Sequence, residues 1–300
     1  MNSYQALKTG VEEGGFRLLA RALTLVENNI EPASDLLKAL TIKNEVPVLG
    51  ITGPPGSGKS TLVNAITTFY LQEGKKIAIL AVDPTSPFNY GSLLGDRIRM
   101  SKQFNNPNVY IRSIATRGAL GGVSVKTLEM VDVLRSSNFD LIILETVGVG
   151  QSEVEVAGLA DRTIVVLVPE AGDEIQHIKS GVMEIAQAFV VNKADRAGAD
   201  SFANNLKKLM NENHQSIPVF KTMADKNNGI DELCEWINRP FIVNNKLKVH
   251  LLSEKAVKII QHYQMKNIAI DQLKKDLAHS IQTPGFNIYR FTDTWLQQHK

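Results

Sequence analysis

Residues Gly53 to Ser60 read GPPGSGKS and satisfy G-x-x-x-x-G-K-[ST] at every fixed position. The chemistry this spacing serves is the holding of phosphate. Gly53, Gly56 and Gly58 let the backbone curl until its N–H groups face an anion, and a following helix adds the positive end of its dipole. Pro54, Pro55 and Ser57 fill the variable positions of the same loop. Lys59 would reach the outer phosphates of a nucleotide, the Ser60 hydroxyl would sit on Mg²⁺, and Thr61 completes the nucleotide-binding set. A glycine-rich turn with a chance Lys-Ser is the competing reading. The flanks argue against it: an apolar run, Val46 to Thr52, leads in, and a helix-compatible run, Ser60 to Ile66, leads out.

A second cluster is Asn192-Lys193-Ala194-Asp195, placed at the end of an apolar run. It fits N/T-K-x-D, the guanine reader of G proteins. A carboxylate at Asp195 can accept from guanine N1–H and from the 2-amino group. Adenine has an acceptor at N1 and no 2-amino group, and a site built on buried hydrogen bonds rejects a ligand that lacks them. Lys193 would pack along the base and Asn192 would brace the loop. Thr222-Met223-Ala224 follows the next strand, placed to touch the base edge through backbone N–H groups.

Two strand ends carry further candidates. Asp83, in AVDPTSP, offers a carboxylate beside the phosphates, suited to Mg²⁺ or its bound water. Glu145, in ETVGVGQ, stands where D-x-x-G is usual, and Gly148 could donate its N–H to a γ-phosphate. Simple capping or solvation would also explain both carboxylates. Val149 follows Gly148 where small signalling GTPases place a water-orienting glutamine, and Gln151 is a poor substitute. Hydrolysis without a partner is therefore expected to be slow. Arg97, Arg99, Arg112 and Arg117 are the candidates to complete catalysis.

These residues need a scaffold, and the pattern around them supplies one. Apolar strand-like runs start at Val46, Lys75, Asn108, Phe139, Arg162, Ala188 and Ile217, and they alternate with amphipathic helices. Several are apolar throughout, as in strands buried on both faces of a parallel sheet. The fold class expected is α/β, a doubly wound, mostly parallel sheet. Residues 1–45 read as a helical extension, with Phe16, Leu19, Leu23 and Val26 at helical spacing beside Ala22. Residues 46–240 form the nucleotide domain. Residues 241–300 form a helical arm, with one stripe at Ala256, Ile259, Ile260 and Tyr263 and another at Ile270, Leu273, Leu277 and Ile281. That arm either packs on its own nucleotide domain or serves dimerisation.

Composition sets the outer bounds. The chain has 300 residues, 43% hydrophobic and 21% charged, an ordinary globular balance. Net charge of +2 gives no push toward nucleic acid or an anionic membrane. No apolar run approaches spanning length and the start lacks a signal-peptide core, so a cytoplasmic location is expected. The single cysteine, Cys234, shares a helical face with Ile230, Leu233 and Ile237 and reads as core.

The order and spacing of LLARALTLVE (from Leu18), GITGPPGSGKST (from Gly50), AVDPTSP (from Ala81), GSLLGDRIRM (from Gly91), ETVGVGQSE (from Glu145), AGDEIQHIKSGVMEIA (from Ala171) and NKAD carry a resemblance. The chain resembles the MeaB/ArgK-type G-protein chaperones of adenosylcobalamin-dependent acyl-CoA mutases. The resemblance implies a dimeric P-loop GTPase that binds GTP and GDP with Mg²⁺. It implies that Asp96 joins Ser60, Asp83 and Glu145 around the metal. It implies that the loop from Pro169 to Lys179 moves with nucleotide state and speaks to the mutase, with Asp173, Glu174, Gln176 and Lys179 as coupling residues. The usual client is methylmalonyl-CoA mutase. Read without the resemblance, AGDEIQHIK is a solvated loop and helix start, its acidic residues favourable near a helix N-terminus.

The chain has no D-x-H-x-x-G, the string supplying a cobalamin-ligating histidine in the mutases, and no mutase domain, so the partner is expected in trans. Three alternatives stand beside this reading. A nickel-type metallochaperone GTPase would want Cys or His pairs, against one cysteine and six scattered histidines. A kinase acting on an amino-acid transport protein would usually want ATP. A non-catalytic nucleotide-gated scaffold would show no hydrolysis.

Overall fold

The computed structural model describes residues 3–83, 103, 105–115, 122–146, 159–170, 186–212, 217–240 and most of 253–298. The chain divides into two compact units, Met1–Asn244 and Asn245–Lys300.

The first unit is built on seven strands: β1 (Val48–Thr52), β2 (Ile77–Asp83), β3 (Val109–Ala115), β4 (Leu141–Thr146), β5 (Arg162–Leu167), β6 (Ala188–Val191) and β7 (Val219–Lys221). Each lies inside one of the seven apolar runs. Every pairing is parallel, in the order β3-β2-β4-β1-β5-β6-β7. Strands β1, β4, β5 and β6 are buried at every position, which is why their sequences do not alternate.

Helices cover both faces. On one face α1 (Ser3–Glu12), α2 (Phe16–Asn28), α3 (Ala33–Ala39) and α5 (Gly122–Arg135) share a core with Ala78, Leu80, Val82, Ile142 and Leu144. The stripe Leu19, Ala22, Leu23 and Val26 is the buried face of α2. The N-terminal helices thus belong to the same packed unit as the sheet. On the other face α4 (Lys59–Gln72) and α7 (Ile230–Asn238) pack on Ile51, Ile77, Ile79, Ile143 and Val166. The period of two in β2 explains the sorting of its side chains between the two layers. Helix α6 (Ala199–Glu212) buries Phe202, Leu206 and Met210 against Val165, Leu167, Phe189 and Val191. Cys234 is fully buried on α7, and burial pushes its thiol up to about 12.

The C-terminal end of α7 is fastened by the Tyr70 hydroxyl, which donates to Asn238 Oδ1 at 2.8 Å, and above all by Arg162. Arg162, at the start of β5, donates from Nη1 to the carbonyls of Trp236 and of Ile237 (2.8 Å), and from Nη2 to that of Arg239. Its guanidinium also lies 4.9 Å from the Trp236 ring centroid. Carbonyls of a last helical turn have no partner within the helix, so a buried cation there satisfies several at once. Arg162→Ala is expected to cost about 3 kcal/mol, since the Ile237 and Arg239 carbonyls lose this donor and the Trp236 carbonyl keeps only the Arg239 N–H. The midpoint of urea unfolding checks this, and Arg162→Lys should recover only part, lacking the fork.

In the second unit α8 (Ile270–Ser280) and α9 (Ile288–Gln298) are joined by Trp295, buried, whose Nε1 donates to Asp276 Oδ2 at 3.0 Å. Of the two expected stripes, Ile260 and Tyr263 in the first and Ile270 and Ile281 in the second are exposed, while Ile259, Leu273 and Leu277 are half-buried.

Candidate functional site

The sheet changes winding direction at β1, which lies between β4 and β5. Ligands of open α/β sheets bind in the crevice at the carboxyl ends of the strands at such a point. The loop Gly53–Gly58 leaves β1 there and enters α4 at Lys59. Its shape depends on glycine at two places. Gly53 has φ 139°, and a Cβ on it would lie 2.1 Å from the Val166 carbonyl oxygen. Gly58 has φ 87°, and its Cβ would lie 2.4 Å from Asn192 Nδ2. Lys59 is buried, with Nζ donating to the carbonyls of Gly53 (2.8 Å) and Pro54 (3.0 Å), so its ammonium lies folded onto the loop. Ser57 Oγ is buried and finds no hydrogen-bond partner among the described residues.

The NKAD segment follows β6 and is tied to this loop. Asn192 is buried; its Nδ2 donates to the Ser57 carbonyl (3.0 Å), and its Oδ1 accepts from Thr222 Oγ1 (3.1 Å) and the Ala224 N–H (3.2 Å). One amide thereby commits a donor to the phosphate loop and its acceptor to the segment after β7. Lys193, at φ 55°, reaches back with Nζ to the Gly56 carbonyl (2.8 Å). Asp195 lies beyond it and accepts from Lys226 Nζ at 3.2 Å. The Lys226 ammonium holds the Asp195 carboxyl below its usual range. Gly58, Thr61, Asn192, Lys193, Asp195, Arg196 and Asp225 line one cavity of about 220 Å³. The two strings most distinctive in the sequence therefore wall a single concavity.

The segment after β7 departs from expectation. Its position in the sequence puts the N–H groups of Thr222, Met223 and Ala224 at the base edge. They go instead to the Val191 carbonyl, the Asn228 carbonyl and Asn192 Oδ1. The physical reason is a tight return: Met223 bridges Asn228, and Gly229, at φ 75°, turns the chain into α7. The segment acts as a brace. A second correction concerns Arg112. Its Nη2 pairs with Glu27 Oε2 (2.5 Å) and Thr24 Oγ1 (3.1 Å), and its Nη1 bonds the Ala20 carbonyl (3.3 Å). Arg112 fastens β3 to α2 and is committed there.

The metal candidates partly converge. Ser60 Oγ donates to Glu145 Oε1 at 2.6 Å, and Glu145 is buried at the end of β4, in register with Ile51 of β1 and Ala81 of β2. Asp83 closes β2, two residues beyond that register position. Among the described residues no three Cys, His, Asp or Glu gather as a metal cluster. A hydroxyl with one or two carboxylates nonetheless suits Mg²⁺, which keeps several waters and takes few protein ligands. Asp96, Gly148, Asp173, Glu174, Gln176 and Lys179, with Arg97, Arg99 and Arg117, lie outside the described residues.

Sequence reasoning missed Arg196, Asp225 and Lys226 around the cavity. Arg196 follows Asp195 directly, and Asp225 and Lys226 follow Ala224, so proximity to the motifs was the available signal.

Residues 19–281 match the model of the family described as methylmalonyl Co-A mutase-associated GTPase MeaB. The chain belongs to this family. It is a P-loop GTPase, and its ligand class is the guanine nucleotide. A Pyrococcus abyssi protein bearing the name of a GTPase is 45% identical over 235 residues, 76% of this chain and 72% of that one. The mouse protein called methylmalonic aciduria type A homolog, mitochondrial, is 36% identical over 250 residues, 76% of this chain and 60% of that one. A crystal structure of a LAO/AO transport system kinase superposes with a TM-score of 0.68 at 25% identity, covering 99% of each chain.

Proposed function

We propose that this MeaB-family GTPase is a chaperone that protects an adenosylcobalamin-dependent acyl-CoA mutase and gates loading of its cofactor. The client is methylmalonyl-CoA mutase, met in trans in the cytoplasm by a homodimer of this chain. The observation that carries the reading is the match of residues 19–281 to a family of mutase-associated GTPases. The relation to the methylmalonic aciduria type A homolog supports the same client.

The reaction is GTP + H₂O → GDP + phosphate, driven by positioning and charge neutralisation. Gly53, Pro54, Pro55, Gly56, Ser57, Gly58, Lys59, Ser60 and Thr61 hold the phosphates. Lys59 leaves the Gly53 and Pro54 carbonyls for the outer phosphate oxygens. Asn192 and Lys193 keep the base reader against the loop, and Asp195 accepts from guanine. Thr222 and Ala224 brace Asn192, and Met223 closes the turn that carries them. Ser60, Asp83, Asp96 and Glu145 would hold Mg²⁺ directly or through water. When bound, that ion would supply charge that neutralises the nucleotide's phosphates. Glu145 accepts a hydrogen bond from the Ser60 hydroxyl, which would leave the lone pairs of that oxygen available to a cation. The Gly148 N–H would sense the γ-phosphate. Asp173, Glu174, Gln176 and Lys179 would carry the nucleotide state to the mutase by ordering and release of that loop.

The likeness to a LAO/AO transport system kinase makes phosphorylation of a partner the rival reading. The carboxylate in the base cavity favours guanine over the ATP that a kinase would usually want. Cofactor loading tests the proposal. Apo-mutase is mixed with adenosylcobalamin and this chain, with GTP, GDP or a non-hydrolysable GTP analogue. Holo-mutase formation should depend on which nucleotide is present. Loading indifferent to both chain and nucleotide would overturn the chaperone role.

A further inference from the structure

Asp195 can read guanine only if its carboxylate is ionised and turned so that both oxygens meet the N1–H and the 2-amino group. Asp195 is 45% exposed, so packing alone does not fix its rotamer. The structure provides a second support. Lys226 Nζ lies 3.2 Å from Asp195 Oδ2, and Lys226 comes from the short 3-10 turn Ala224–Lys226 after β7. That turn is itself held in place. The Ala224 N–H is bonded to Asn192 Oδ1, the Lys226 N–H to the Met223 carbonyl, and Met223 to Asn228. From the other side the Ala194 N–H is bonded to the Thr222 carbonyl. Reader and turn therefore form one frame, and the lysine is offered to the carboxylate from a fixed base.

We propose that Lys226 is a positioning residue for guanine specificity, holding one oxygen of Asp195 so that the carboxylate is set before the base arrives. This rests on the assignment of Asp195 as the guanine reader. A carboxylate oxygen has two lone-pair sites, so the ammonium and a guanine donor can share Oδ2. An exposed ion pair contributes little to folding, so its effect should show in recognition. Guanine makes two bonds to Asp195 and hypoxanthine one. Loss of orientation therefore penalises GDP more than IDP.

The test is equilibrium titration of the full chain with GDP, IDP and ADP, for the wild type, Lys226→Ala, Lys226→Arg and Asp195→Asn. With Lys226→Ala, GDP affinity should fall about twofold to fivefold and IDP affinity less, and Lys226→Arg should restore the GDP-to-IDP ratio. Two results would overturn the proposal: an unchanged GDP-to-IDP ratio, whether or not both affinities fall, or tighter GDP binding, which would make Lys226 a competitor of the base. If Asp195→Asn retains the GDP preference, the reader assignment fails and the proposal with it. If Asp195→Asn loses the preference and Lys226→Ala keeps it, only the role of Lys226 fails.

Discussion

Replacing Asp195 by Asn should weaken GTP binding by about a hundredfold to a thousandfold while leaving the fold intact. The carboxylate presents two acceptors to guanine, and the amide keeps one and turns an N–H₂ toward a donor. The cost is a lost pair of charge-assisted bonds plus a donor left facing a donor. The same change should improve binding of xanthosine nucleotides, whose C2 carbonyl accepts from the new amide. Titration with GTP, XTP and ATP checks both halves. Equal binding of GTP by wild type and variant would remove Asp195 from the site. The stability cost should be small, since Asp195 is part-exposed and its partner Lys226 is 58% exposed.

Lys59→Ala should have the largest effect on turnover, lowering the hydrolysis rate by about a hundredfold to a thousandfold. In the structure the ammonium lies against the Gly53 and Pro54 carbonyls, 2.8 and 3.0 Å away. Its removal leaves the charge developing on the outer phosphate oxygens uncompensated. Pre-steady-state phosphate release at saturating GTP reads this directly, and the unfolding midpoint separates it from a folding defect. A variant that turns over at the wild-type rate would show that another cation serves the phosphates.

What the sequence makes legible is what backbone and burial impose. The inner strands are visible because a parallel sheet covered on both faces demands unbroken apolar runs such as Leu141 to Leu144 and Ile164 to Leu167. The edge strands β3 and β7 carry Arg112, Ser113 and Lys221 and are legible from the strand–helix alternation around them. The phosphate loop and NKAD are legible because each packs its chemistry into a few adjacent residues. That the two share one site, with Asn192 as a brace, follows from the motif types. The particular bond from Asn192 to the Ser57 carbonyl joins residues far apart in the chain, and no local pattern encodes it. The same limit hides Lys226, an ordinary surface lysine until the turn after β7 places it against Asp195. Thr222, Met223 and Ala224 do lie beside the site, but their N–H groups are not free, since hydrogen bonds within a return turn are set by its partners. Arg112 reads as available because its position in the sequence falls among candidate switch and loop segments. Its pairing with Glu27 arises from how α2 lies on the sheet, which helical periodicity alone leaves unspecified.

The most direct test is steady-state GTP hydrolysis by the pure chain, alone and with methylmalonyl-CoA mutase, with ATP as the control nucleotide. A mutase-coupled GTPase should turn GTP over slowly alone, accelerate strongly with the mutase, and show no comparable turnover of ATP. Preference for ATP, or GTP turnover that ignores the mutase, would contradict that role.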